Sequence, residues 1–136
     1  MSLCDAGPLV AIVDRSDAYH TQCVTALAHM PPVPLVTTWP CLTEAMYFLG
    51  RRGGAAAQDG LWKFLERGVV VLHLPGAGEW QRMRTLMTDY RDAPMDLADA
   101  SLVTAAENLG MRHIFTVDSH FRVYRIEGRY PFEIVP

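Results

Sequence analysis

A chain of 136 residues, 50% hydrophobic and 20% charged, is long enough to bury one continuous core and is expected to form a single domain over residues 1–136. Its formal net charge of -3 argues against a general nucleic-acid coat, which shows a basic excess, but not against an enzyme whose metal ion supplies local positive charge. No apolar run approaches the roughly 20 residues of a membrane helix, and no basic-then-apolar leader opens the sequence, so a cytoplasmic protein with no membrane contact is expected.

Strands and helices are expected to alternate. A short apolar strand runs through Cys4, a helix covers Pro8 to Val13, and a second helix follows Asp17 over about Ala18 to His29. Pro31-Pro32 breaks the chain before a strand at Val33 to Thr37. Thr38 is a good N-cap with Pro40 in the first turn, and the helix it starts runs toward Gly50, where Arg51-Arg52-Gly53-Gly54 ends it. Ala55 to Glu66 forms another helix, stopped by Gly68. Val69 to His73 is the clearest strand, a β-branched run whose unbroken apolarity implies burial on both faces. Helices over Glu79 to Tyr90 and Asp96 to Gly110 follow, then a strand over Arg112 to Val117, a short helix near Phe121 and a last strand from Phe132 to Val135. This alternation predicts an α/β fold, a parallel sheet with helices on both faces.

The three cysteines, Cys4, Cys23 and Cys41, are scattered and in no metal-ligand spacing, so they are expected as small core hydrophobes. Of the 12 basic residues only Lys63 is lysine; the rest are arginine, whose planar fork grips phosphate.

In open parallel sheets functional groups gather beyond the carboxyl ends of the strands, above all where strand order reverses. Asp5 follows the first strand and Asp118 follows the fourth, although each reads equally well as a turn or cap residue. Glu44 lies within Cys41-Leu42-Thr43-Glu44-Ala45-Met46-Tyr47-Phe48-Leu49 and shares a helical face with Pro40, Tyr47 and Phe48. An acid on such a face is paired with an arginine, protonated or bound to a cation. In Asp96-Leu97-Ala98-Asp99 the first acid reads as an N-cap; the second fits a capping box, but the alanines beside it leave room for a ligand. Four such acids, if they converge, repel one another unless a divalent cation sits among them, and oxygen-only ligation suits Mg2+ or Mn2+. The chemistry implied is metal-dependent phosphodiester hydrolysis.

Asp5-Ala6-Gly7-Pro8-Leu9, the helical Glu44, Met95-Asp96-Leu97-Ala98-Asp99-Ala100-Ser101-Leu102 and Phe115-Thr116-Val117-Asp118-Ser119-His120-Phe121 resemble the PIN-domain ribonucleases, specifically the VapC-type toxins of bacterial toxin–antitoxin pairs. The likeness covers essentially the whole chain. It implies a PIN-like three-layer α/β/α fold with a five-stranded parallel sheet in order 3-2-1-4-5, and a Mg2+- or Mn2+-dependent endoribonuclease. Asp5, Glu44, Asp99 and Asp118 would form its acidic metal site, in which metal-activated water attacks phosphorus in line with no histidine or lysine base. Asp96 is similar to an auxiliary acid, and Thr116 to a polar residue that orients a ligand or phosphate. The same resemblance implies an RNA substrate, a homodimer and a small antitoxin whose tail covers the groove.

An apolar groove including Trp39, Met46, Trp62 and Phe64 could receive that antitoxin, or the four could be core. Arg51, Arg52, Arg122 and Arg125 are candidate phosphate contacts or solvated loop residues, and His20 and His120 candidate RNA contacts or ordinary surface histidines. His29, His73 and His113 have no partner visible in sequence, while Trp39, Trp62 and Trp80 are too dispersed for a base-stacking platform and are expected in core or interface packing. Competing readings are a receiver domain, which lacks its acceptor Asp and Lys here, a DNA nuclease with longer insertions, and a PIN-like module that binds RNA or protein without cutting.

Overall fold

The computed structural model describes all 136 residues. Its strands are β1 (Ser2–Cys4), β2 (Leu35–Thr38), β3 (Val70–His73), β4 (His113–Phe115), β5 (Arg125–Ile126), β6 (Tyr130–Pro131) and β7 (Glu133–Val135). Its helices are α1 (Ala6–Val13), α2 (His20–His29), α3 (Trp39–Glu66), α4 (Glu79–Asp89) and α5 (Leu97–Leu109), with a 3-10 turn at Ser119–Arg122. Five strands form one parallel sheet in order β3-β2-β1-β4-β7, helices covering both sides. The expected order is therefore present, with β7 as its fifth strand. Register sets Leu3 opposite Ile114 and Cys4 opposite Phe115, so β1 and β4 end side by side.

The centre of the sheet is the most deeply buried part. Every residue of β1 and β2 is buried, as are Ile114 and Phe115 of β4. β3 departs from expectation: Val70 is buried, but Val71 is 38% exposed and Leu72 and His73 are half-buried. An apolar run signals burial on both faces only when neighbours flank the strand, and β3 is an edge.

Helix α5 is buried at every position from Ala98 to Ala106. Small residues let it sit this deep, and Ser101 and Thr104 return their hydroxyls to the carbonyls of Ala98 and Ala100, so no polar side-chain atom is orphaned. All three cysteines are buried and free, as expected.

The break expected at Arg51 to Gly54 is displaced. Helical geometry continues through Arg51, Arg52 and Gly53, and the kink is at Gly54 alone, whose φ of 66° and ψ of -156° suit glycine. The two arginines therefore project from a helix rather than a loop. The β5–β6 ribbon is a second difference: two residues per strand show no alternation a sequence reading could detect.

Candidate active site

Each acid at the centre is fixed by the start of a helix. Asp5 is the N-cap of α1, its Oδ1 accepting from the Ala6 N–H at 2.7 Å. Asp96 and Asp99 form a reciprocal capping box on α5: the Asp99 N–H donates to Asp96 Oδ1 at 2.8 Å, and the Asp96 N–H to Asp99 Oδ2 at 3.4 Å. Asp118 caps the 3-10 turn, accepting from the His120 N–H at 2.9 Å. Because β1 and β4 are neighbours, these three chain starts meet at the carboxyl end of the sheet.

One carboxylate oxygen each from Asp5, Asp99 and Asp118 lies within 4.8 Å of the others. Glu44 and Asp96 line the same crevice, of about 310 Å³, outside that trio. Two hydroxyls hold the carboxylates in place. Thr116 Oγ1 donates to Asp5 Oδ2 at 2.9 Å and accepts from the Asp118 N–H at 3.0 Å, joining the ends of β1 and β4. Tyr124 Oη donates to Asp99 Oδ2 at 2.8 Å from a fully buried ring. Sequence reasoning missed Tyr124; the signal was its place three residues after Phe121, on the same side of a helical turn. Asp99 Oδ1 and Asp118 Oδ2 accept no protein hydrogen bond and are free to face a ligand.

Burial raises the charge cost. Asp5 and Asp99 are each only 7% exposed. Burial pushes Asp5 above the usual carboxylate range against its hydrogen bonds from Thr116 and Ala6, and Asp118 and Asp96 add repulsion. Asp99 is pushed up to about 7, chiefly by burial, with repulsion from Asp96 and Asp5 adding to it and the Tyr124 hydroxyl opposing it. Burial also raises Glu44, followed by repulsion from Asp5, Asp96 and Asp118. The one basic side chain lining the crevice, Arg52, is engaged at 2.7 Å by Asp17 and at 3.5 Å by Asp14. Hard oxygen donors, crowded and with no unpaired cation among them, suit a hard divalent cation.

The pH dependence of the metal-free protein follows. The unfolded chain ionises these acids in the ordinary range, near pH 4, whereas the folded chain holds its protons longer. Stability is therefore expected to fall as pH rises from about 4 through about 7 and then level off. Thermal melts of metal-free protein at pH 5 and pH 8 test this; an equal or higher midpoint at pH 8 contradicts it.

Other predicted residues are less closely involved. The Glu44 face is not buried: Tyr47 and Phe48 are exposed beside it, and the charges that act on Glu44 are those of Asp5, Asp96 and Asp118, with no arginine paired to it. Arg51 donates to Tyr47 Oη at 3.1 Å. Arg125 is spent on the carbonyls of Arg122, Val123 and Tyr124, and neither it nor exposed Arg122 lines the crevice. His20 donates Nδ1–H to the Ala11 carbonyl at 2.6 Å, tying α2 to α1, and His120 stays beside Asp118 at 3.0 Å. The histidines without a visible partner find one: Thr25 for His29, Glu79 for His73 and Glu133 for His113. Trp39, Trp62 and Trp80 are not core; all are exposed. Trp39 lines a shallow groove with Tyr47, Phe48 and Leu97, which Met46, Trp62 and Phe64 do not join.

A parallel sheet in this order with three carboxylates at its switch point defines a PIN-like domain with an acidic centre. Comparison with known proteins agrees. The chain is 28% identical over 136 residues to ribonuclease VapC26 of Mycobacterium tuberculosis, an alignment that covers 97% of this chain and 98% of that protein. Its fold superposes with a TM-score of 0.80 on VapC20 of the same organism, described as a sarcin-ricin loop cleaving toxin, at 20% identity over 88% of this chain and 91% of that one. No family model matches. The resemblance to the PIN-domain, VapC-type ribonucleases that the sequence motifs carry is thereby borne out.

Proposed function

We propose that residues 1–136 act as one cytoplasmic endoribonuclease domain, dependent on Mg2+ or Mn2+, and that the protein is the toxin of a type II toxin–antitoxin pair. The observation that carries this reading is the meeting of Asp5, Asp99 and Asp118 oxygens within 4.8 Å in a crevice whose only cation is already paired. The relationship to ribonuclease VapC26 along nearly the whole chain supports RNA as the substrate. Nothing favours the non-cutting alternative.

In this reading Asp5, Asp99 and Asp118 would hold the cation, with Glu44 and Asp96 on the crevice wall as additional acids facing it. The bound ion supplies positive charge for the phosphoryl transition state and the acidity that makes water a nucleophile at neutral pH. Thr116 fixes the Asp5 carboxylate by donating to Oδ2, and Tyr124 fixes Asp99 by donating to its Oδ2, leaving Oδ1 free. Such positioning removes the reorganisation the acids would otherwise undergo as the reaction proceeds. A homodimer and a small antitoxin, which would block the crevice, complete the assembly.

The test is metal removal. Chelator-treated protein is expected not to cleave RNA, and Mg2+ or Mn2+ should restore cleavage. Metal at about one hundred times its dissociation constant should also raise folding stability by about 2.7 kcal/mol. Cleavage that persists in excess chelator contradicts the proposal.

A further inference from the structure

Arg52 lines the acid crevice, yet it pairs with two acids that are not part of the acidic centre. Asp14 and Asp17 lie in the turn between α1 and α2, and each divides its carboxylate between two tasks. Asp14 Oδ1 accepts from the Ser16 N–H at 2.9 Å and from Ser16 Oγ at 2.6 Å, and Asp17 Oδ1 accepts from the Tyr19 N–H at 2.8 Å. The other oxygen of each faces Arg52, whose Nη1 donates to Asp17 Oδ2 at 2.7 Å and to Asp14 Oδ2 at 3.5 Å. The turn itself is pinned: the Asp17 N–H donates to the Asp14 carbonyl at 3.1 Å, and the His20 N–H to the Asp17 carbonyl at 3.0 Å. Two fixed anions thus hold one flexible cation. A guanidinium 45% exposed gains little stability from such a pair, so the pair matters chiefly for where the guanidinium goes.

The geometry of α3 supplies the other place it could go. Positions 44, 48 and 52 are four apart, so Glu44, Phe48 and Arg52 share one face of the helix, and all three line the crevice. Helical side chains lean toward the N-terminus of their helix. Arg52 does so already, with its guanidinium 5.7 Å from the Phe48 ring centroid. The same direction leads past Phe48 to Glu44 and the crowded acids. Arg52 stops short of them, since the charges acting on Glu44 are those of Asp5, Asp96 and Asp118. A cation tethered beside unpaired carboxylates competes with any free cation, because a short tether fixes its local concentration at about the millimolar level.

We infer that Asp14 and Asp17 are positioning residues that clamp Arg52 at the rim of the crevice and so keep it from occupying the place of the divalent cation. The inference rests on the metal-dependent reading of the site and adds the device that keeps the site free. Without the clamp the acidic centre would satisfy its own charge from within the chain, and a metal ion would have to displace a guanidinium before it could bind. The clamp acts on metal affinity through Arg52, not by contact with the metal.

The test is calorimetric titration with Mn2+ in about 0.15 M salt, which screens exposed charges more than about 8 Å apart. The paired substitution Asp14→Asn with Asp17→Asn should weaken Mn2+ binding roughly 10- to 100-fold, the equivalent of a charged hydrogen-bonded contact that the ion must displace. Arg52→Gln alone should bind Mn2+ as wild type does or more tightly. Added to the amide pair, Arg52→Gln should restore binding to the level of Arg52→Gln alone. Loss of two negative charges by itself would weaken binding whether or not the arginine is present, so this rescue singles out the arginine as the cause. The amides keep the oxygens to which Ser16 and Tyr19 donate, and matching thermal midpoints verify that the turn is intact. Asp17→Asn alone, which leaves Asp14 in place, should show the same loss and rescue on a smaller scale. Three results would overturn the inference: unchanged Mn2+ affinity in the amide pair, no restoration by Arg52→Gln, or a loss in Arg52→Gln alone as large as in the amide pair. Any of these with wild-type Mn2+ binding intact leaves the metal-dependent reading standing; wild-type protein that binds no Mn2+ removes both.

Discussion

Asp99→Asn is expected to reduce RNA cleavage by about 10²- to 10⁴-fold, the rate equivalent of the several kcal/mol that a bound Lewis acid provides. The same substitution should raise the thermal midpoint of the metal-free protein at pH 8. Both effects have one origin. Asp99 is buried, crowded by Asp96 and Asp5, and held above the usual carboxylate range, so its ionised form is a cost to the fold that only a cation offsets. The amide keeps the shape and an oxygen for Tyr124 and removes the charge. Asp5→Asn should behave alike, since burial raises that acid too and Asn is as good an N-cap as Asp. Undiminished cleavage by both purified variants would sink the assignment of the site. A uniform loss of stability at all pH values would instead mean that the carboxylates are structural.

Phe121 and Tyr124 separate packing from positioning. Both are fully buried, with ring centroids 5.1 Å apart in an edge-on contact, and Phe121 makes a second such contact with Phe132 at 5.4 Å. Phe121→Ala leaves a cavity under the turn that carries Asp118 and is expected to cost about 3–5 kcal/mol, a large part of a typical domain's stability. Tyr124→Phe retains the ring and deletes only the donor to Asp99. A hydrogen bond to a charged group is worth about 1.5–3 kcal/mol, less than the cavity left at Phe121, so Tyr124→Phe should destabilise the fold less than Phe121→Ala. Calorimetric titration with Mn2+ should show weaker binding by Tyr124→Phe, whereas denaturant unfolding should single out Phe121→Ala. Unchanged Mn2+ affinity in Tyr124→Phe would make that hydroxyl a structural detail.

Much of the fold was legible because its signals are local. Thr38 with Pro40, the Asp96 to Asp99 capping box and the glycine after α5 mark helix ends through bonds between near neighbours. Asp5, Asp99 and Asp118 were legible as strand-end or helix-start acids, and the family resemblance supplied the strand order that brings them together. What escaped depends on distant partners. The Thr116 link to Asp5 spans 111 residues, and the Tyr124 link to Asp99 spans 25, with no periodicity to announce either. The apolar β3 run could not disclose its edge position. The exposure of Trp39, Trp62 and Trp80 was hidden for a related reason: composition says that a ring is apolar, not whether another element covers it.

The acids of the centre are also the caps on which α1, α5 and the 3-10 turn begin. Folding and the proposed chemistry thus ask different things of the same atoms: folding uses the oxygens, and that chemistry would use the charge. The centre can be stripped of charge but not of oxygen. Alanine at Asp5 or Asp96 would remove a cap worth about 1 kcal/mol, whereas asparagine would leave it in place. An inactive yet intact descendant of this protein is therefore accessible in a single step through an amide.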